Sequence, residues 1–182
     1  SLIIARNALE LPDLPARDRV RLINTVPSAI AALQRTGQIP PSVRIINLAG
    51  EPLKQTLVEA LYQQPGVEHV YDLYGPSEDT TYSTYTRRTA GGQPSIGRPI
   101  NHTASYLLDA QLQAVPQGVC AELYLAGAGL TRGYLGRAAL TAERYVPNPF
   151  SNQRDRPSRT GAPVRYQDVG ELALPRPLHP SA

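Results

Sequence analysis

The chain has 182 residues, 41% of them hydrophobic and 18% charged, with a net charge of +3. That balance excludes an intrinsically disordered chain, and no apolar run approaches the roughly 18 residues of a membrane-spanning helix. Every basic residue except Lys54 is arginine, and they are scattered apart from Arg154, Arg156, Arg159 and Arg165. No continuous basic face with interleaved aromatics emerges, which argues against nucleic-acid binding.

In chain order, residues 1–20 carry Pro12 and Pro15 and no periodic pattern. Nothing there resembles a signal peptide, because Ser1-Leu2-Ile3-Ile4 is short and lacks a basic lead. Arg21 to Thr25 reads as a short buried strand. Pro27 to Arg35 has helical spacing, with Ile30 and Leu33 on one side and Gly37 in place to stop it. Val43 to Leu48 is apolar and β-branched, as in a central strand. Gly50-Glu51-Pro52 is expected to start a second helix with proline in its first turn, buried through Leu53, Leu57, Ala60 and Leu61. Pro65-Gly66 ends it, and Val67 to Leu73 is the next strand. Alternating strands and helices predict an α/β fold, a parallel sheet with crossover helices, over residues 1–90.

The pattern then changes. Gly91-Gly92-Gln93-Pro94 is a break, and Ala104 to Leu108 and Glu122 to Leu125 are strand-length apolar runs between turns. They predict a smaller, antiparallel, barrel-like β subdomain over residues 91–150, with a short helix at Ala138–Arg144. Residues 151–182 read as an irregular tail. Cys120 is the only cysteine, so no internal disulfide forms, and a reducing cytoplasm fits.

Tyr74-Gly75-Pro76-Ser77-Glu78 is the stretch richest in chemistry. It follows a strand and brings together an aromatic face, a rigid turn, a hydroxyl and a hard oxygen ligand. That set suits a nucleotide, its phosphate and a magnesium ion. Taken alone, it is equally an ordinary Gly-Pro surface turn with a capping serine. A second glycine loop, Gly50-Glu51, ends the preceding strand. Neighbouring parallel strands deliver such loops to one carboxyl edge, where α/β proteins bind ligands.

A series of segments carries a resemblance. Asn47-Leu48-Ala49-Gly50-Glu51-Pro52-Leu53 is followed by Leu73-Tyr74-Gly75-Pro76-Ser77-Glu78 and Ile96-Gly97-Arg98-Pro99. Glu122-Leu123-Tyr124-Leu125-Ala126-Gly127 comes next, then Gly129-Leu130-Thr131-Arg132-Gly133-Tyr134-Leu135 and Tyr145-Val146-Pro147-Asn148-Pro149-Phe150. In order and spacing, roughly residues 20–150 resemble the middle of an adenylation domain of nonribosomal peptide synthetases, in the AMP-binding, acyl-adenylate-forming superfamily.

The resemblance implies an ATP-dependent ligase. It would join an amino acid to AMP, release pyrophosphate, and pass the aminoacyl group to the phosphopantetheine thiol of a peptidyl carrier protein. Neighbouring synthetase domains would be further partners, with no nucleic acid or membrane among them. Tyr74 would stack on adenine, Gly50, Glu51 and Gly75 would line the nucleotide site through backbone, and Asp72 would take an adenine-contacting position that is usually Asn. Ser77 would bond phosphate, and Glu78 would hold Mg2+. Asn24, Asn47, Ala49, Leu73, Thr81 and Tyr82 would wall the amino-acid pocket. The bulk of Leu73 and Tyr82 implies a small substrate, alanine first, with serine, cysteine and glycine open.

The family's phosphate loop and catalytic lysine match nothing here, and Lys54 stands outside that motif. The resemblance therefore implies an internal piece of the adenylation core, inactive by itself. Ser158-Arg159-Thr160-Gly161-Ala162-Pro163 lacks the family's ribose-binding aspartate, and His179 fits no ligand role. A change of reading frame from about residue 157 would account for this, and resequencing tests it. Two other readings stand beside the first: a relative that activates fatty or aryl acids to thioesters, and a non-catalytic fragment of a decayed gene.

Overall fold

Apolar runs and two intervening helices build a parallel trio of strands in the computed structural model, which describes residues 3–150, 156–167 and 170–174. Arg154, Arg176 and His179 lie outside the described residues. Strand β1 (Leu22–Thr25) pairs parallel with β2 (Ile45–Ala49), and β2 pairs parallel with β3 (His69–Tyr74). Helix α1 (Pro27–Arg35) connects the first two strands and α2 (Gln55–Tyr62) the next two. Strand β4 (Thr84–Arg88) and β5 (Arg98–Pro99), an antiparallel pair, complete the order β1-β2-β3-β4-β5. A second, antiparallel sheet follows the order β6-β7-β8-β9, from β6 (Thr103–Leu108), β7 (Ala121–Gly127), β8 (Ser158–Tyr166) and β9 (Leu172–Ala173). Helix α3 (Ala138–Arg144) stands between β7 and β8 in the chain.

The chain divides into two units, residues 1–73 with 86–94, and residues 74–85 with 95–182. In the first, Ile23, Ile46, Leu48 and Val70 on one sheet face pack with Ile30 and Leu33 of α1 and Val58 and Leu61 of α2. Full burial of such side chains stabilises by about 1.5–3 kcal/mol each. In the second, the core is Ile96, Leu107, Leu123, Leu125, Val164 and Leu172.

Helix α1 has the bounds its sequence predicts. It stops because Gly37 adopts φ +65°, letting Gly37 N bond Gln34 O at 3.1 Å and Gln38 N bond Leu33 O at 2.9 Å. Helix α2 departs from expectation. Pro52 and Leu53 stay outside it, Lys54 is its N-cap, and its buried residues are Val58 and Leu61 rather than Leu57 and Ala60. Leu53 is held beforehand, buried and with its carbonyl 3.4 Å from Arg88 Nη1, so the helix begins only where Lys54 O accepts from Leu57 N.

Strands β4, β8 and β9 lie where the sequence predicts none. The inward residues of β4 are Thr84, Thr86 and Arg88, so no apolar alternation marks it. The expectation of an irregular tail is corrected at β8, which pairs with β7 on both sides of a bulge: Tyr124 faces Arg159 and Glu122 faces Pro163. Gly161, at φ +71°, turns the chain through that bulge, which is where the aspartate-free stretch lies.

Candidate functional site

Within the first unit, register places four of the predicted pocket residues on one sheet face. Asn24 lies beside Asn47 across β1 and β2, and Ala49 lies beside Leu73 across β2 and β3. Successive side chains alternate, so these four face away from the Ile46, Leu48 and Val70 core. None of the four is buried, although Asn24 already has a partner.

Asp72 points to the opposite, core-facing side. Its Oδ2 accepts a hydrogen bond from Arg88 Nη1 at 2.7 Å, and the side chains are 11% and 3% exposed. Arg88 Nη2 also donates to Gln55 Oε1 at 2.9 Å. Burial pushes the Asp72 carboxyl above its usual range, and the Arg88 bond and charge oppose that. The position given to adenine recognition is thus also one half of a buried ion pair.

Gly50 follows β2 at φ +82°, which lets the chain leave the strand end. The Glu51 carboxylate turns toward α1. It accepts from Ser28 N at 2.9 Å and from Ser28 Oγ at 2.8 Å, capping that helix N-terminus. Both carboxylate oxygens of Glu51 are thus engaged at α1.

In the second unit, the Tyr74–Glu78 loop is a tight reversal. Ser83 N donates to Tyr74 O at 2.7 Å, and Ser77–Asp79 forms a 3-10 turn. A Cβ on Gly75 would lie 2.6 Å from Thr81 O, 2.7 Å from Tyr82 Cα and 2.8 Å from Ser83 N, so only glycine fits. Thr80 and Thr81 take φ +50° and +92°, conformations that non-glycine residues adopt at some cost. Ser77 and Thr81 are exposed, while Tyr74 and Tyr82 are half-buried. The Tyr74 ring packs on the second core, and burial raises its phenol pKa.

A second loop grips this one. Thr131 N donates to Glu78 O at 2.8 Å, and Thr80 Oγ1 donates to Gly129 O at 2.5 Å. The Tyr134 phenol donates to Glu78 Oε1, and this bond pushes the phenol up to about 12. Tyr134 meets Tyr145 edge-on at 6.0 Å, and Tyr145 Oη lies 2.5 Å from Thr131 Oγ1. Asp79 is 1% exposed with neither oxygen in a well-formed hydrogen bond among the described residues, and burial pushes its carboxyl up against a smaller lowering from the nearby Ser83 hydroxyl.

Glu78 Oε2 takes no hydrogen bond among the described residues. No group of three or more His, Cys, Asp or Glu there could hold a metal. A cation at Glu78 would draw its remaining ligands from water and phosphate, which is how Mg2+ is usually held beside a nucleotide. The residues present fit that ion.

The chain belongs to the AMP-binding enzyme family, which matches residues 3–135. It is 57% identical over 174 residues to one of the linear gramicidin synthase proteins of Brevibacillus parabrevis, covering 94% of this chain and 3% of that protein. It is 46% identical over 176 residues to the AMB antimetabolite synthetase AmbB of Pseudomonas aeruginosa, covering 94% of this chain and 14% of that one. A solved nonribosomal peptide synthetase protein with adenylation and PCP domains, bound to a vinylsulfonamide inhibitor, superimposes with a TM-score of 0.82. It is 27% identical, and the match covers 93% of this chain and 30% of that one. A four-domain synthetase bound to AMP and glycine matches with a TM-score of 0.81 at 28% identity, covering 93% of this chain and 13% of that one. The chain therefore spans a small part of the relatives it matches. Its mixed sheet, parallel through β1, β2 and β3, followed by an antiparallel sheet, is the adenylation-domain fold.

Sequence reasoning missed Arg88, Asp79 and the bond from Tyr134 to Glu78. Tyr134 stands in a recognised Gly-Tyr segment, but no local signal ties it to a carboxylate 56 residues away.

Proposed function

We propose that this chain is the middle part of an amino-acid-activating adenylation domain in a peptide synthetase. The reaction joins an amino-acid carboxylate to the α-phosphate of ATP and expels pyrophosphate. The acyl group then passes to a carrier-protein thiol. The single observation that carries this reading is the Ser77–Glu78 turn, with its exposed hydroxyl and its half-used carboxylate, in a chain of this family.

Each named residue has a task its chemistry suits. Tyr74 offers a ring face to adenine, and Gly50, Glu51 and Gly75 offer backbone. The second Asp72 oxygen can accept from an adenine amine while Arg88 holds the first. Ser77 donates to phosphate. Glu78 would hold Mg2+ with its carboxylate, and that ion, when bound, would supply positive charge to the phosphate oxygens. Asn24, Asn47, Ala49, Leu73, Thr81 and Tyr82 shape the amino-acid site for a small side chain, with alanine preferred. One methylene in such a pocket discriminates only about 10–200-fold, so serine, cysteine and glycine compete. The 182 residues alone turn nothing over, because no lysine beyond Lys54 is present to serve the chemistry.

Amino-acid-dependent ATP–pyrophosphate exchange by a synthetase carrying this segment tests the reading. Exchange with alanine above serine and glycine is expected. Exchange with no small amino acid, but with a fatty or aryl acid, would overturn it.

A further inference from the structure

Glu78 is held from several directions by one loop. Its carbonyl accepts from Thr131 N at 2.8 Å, and its Oε1 accepts from the Tyr134 phenol. Tyr134 is itself fixed. Its backbone N donates to Thr141 Oγ1 at 3.0 Å, and its ring meets the edge of buried Tyr145. Gly133 makes that approach possible, because a Cβ there would lie 2.4 Å from Thr141 Cγ2. The phenol is therefore a placed donor that occupies one carboxylate oxygen and leaves the other.

We infer that Tyr134 is a positioning residue that keeps Glu78 a one-oxygen ligand, and so favours a small octahedral cation over a larger one at this loop. This rests on the proposed metal role of Glu78. Mg2+ takes single oxygens at about 2.0–2.1 Å in strict octahedral geometry, whereas Ca2+ accepts both oxygens of one carboxylate in a looser shell. A hydrogen bond on Oε1 obstructs the two-oxygen mode and fixes the direction of Oε2. Partners of this kind change metal affinity by about 10–100-fold when removed.

The test reads metal binding directly, in a synthetase carrying this segment, with ATP present. Bound Mn2+ is followed by electron paramagnetic resonance and displaced with Mg2+ or with Ca2+. Tyr134→Phe keeps the ring against Tyr145 and removes only the donor. It is expected to weaken Mg2+ displacement by about 10-fold and to leave Ca2+ displacement unchanged or tighter. Equal shifts for both ions, or none, would overturn the inference. Tyr145→Phe removes a neighbouring hydroxyl that does not touch Glu78, and no change in the Mg2+ to Ca2+ ratio is expected. A matching shift there would mean general loosening and would also overturn it. Glu78→Gln separates the two ideas. If it abolishes tight Mn2+ binding while Tyr134→Phe changes nothing, only the inference fails; if Mn2+ binds Glu78→Gln as tightly as the parent, the metal reading fails and takes the inference with it.

Discussion

Arg88 Nη1 lies 2.7 Å from Asp72 Oδ2, and the pair sits within the first unit almost entirely out of water. Removing one partner strands a charge in low dielectric, which typically costs about 3–5 kcal/mol, whereas replacing both with well-packed neutral groups is often near neutral. Arg88→Met is therefore expected to lower the urea midpoint of the chain strongly. Asp72→Asn combined with Arg88→Met is expected to recover much of the loss. A double variant as unstable as the single one would show that the ion pair is not what Arg88 contributes.

Glu51 caps α1 from outside the helix, through Ser28 N and Ser28 Oγ. Glu51→Ala is expected to destabilise the first unit by about 1 kcal/mol, within the range for lost N-caps. Amide hydrogen exchange reads this locally: protection should fall in the first turn of α1 and not at α3. Uniform loss along the chain would contradict a capping role.

Asp79 is buried without a well-formed hydrogen bond among the described residues, and its carboxyl titrates above the usual 3.8. The folded form keeps this proton to higher pH than the unfolded chain. The contribution to stability is complete below the usual value and disappears as pH rises through the raised one. Asp79→Asn mimics the protonated group and is expected to flatten that slope. Melting at pH 4 and pH 7 should show the variant gaining on the parent at the higher pH. A constant gap would mean that Asp79 is not the titrating group.

Gly75 faces the backbone of Thr81, Tyr82 and Ser83 at 2.6–2.8 Å from where a Cβ would sit. None of those atoms belongs to a side chain that could swing aside. Gly75→Ala is expected to open the Ser83 N to Tyr74 O bond and to cost several-fold more exchange activity than Gly91→Ala, where a Cβ meets nothing within 4 Å and only the backbone angle, φ +71°, is strained. Equal effects would show that the close approach is relaxed in solution.

Local signals made the first half of the fold readable. Helix α1 carries Ile30, Leu33 and a stop at Gly37 within a dozen residues, and β2 opens on the β-branched pair Ile45-Ile46. Strand β4 was hidden because the residues that point inward, Thr84, Thr86 and Arg88, are polar, and Thr84 and Arg88 bond partners far along the chain. Thr84 Oγ1 donates to Ile96 O at 2.6 Å, for example. Strand β8 was hidden by its bulge, which separates buried Ser158 from buried Val164 with Gly161-Ala162-Pro163 between. The site shows the same divide. The Tyr74–Glu78 loop is contiguous and stood out in the sequence. Its supports, Thr131 and Tyr134, are joined to it only by folding, as Arg88 is to Asp72.

On the proposed reading, the Ser77–Glu78 turn is the nucleotide and metal loop of an amino-acid adenylating enzyme. The most direct measurement is alanine-dependent ATP–pyrophosphate exchange in a synthetase carrying this segment, compared before and after Glu78→Ala, with folding verified by circular dichroism. A loss of about 100-fold or more is expected, the size seen when one group that stabilises developing charge is removed. Full exchange activity in Glu78→Ala at limiting Mg2+ would show that this turn does not hold the metal.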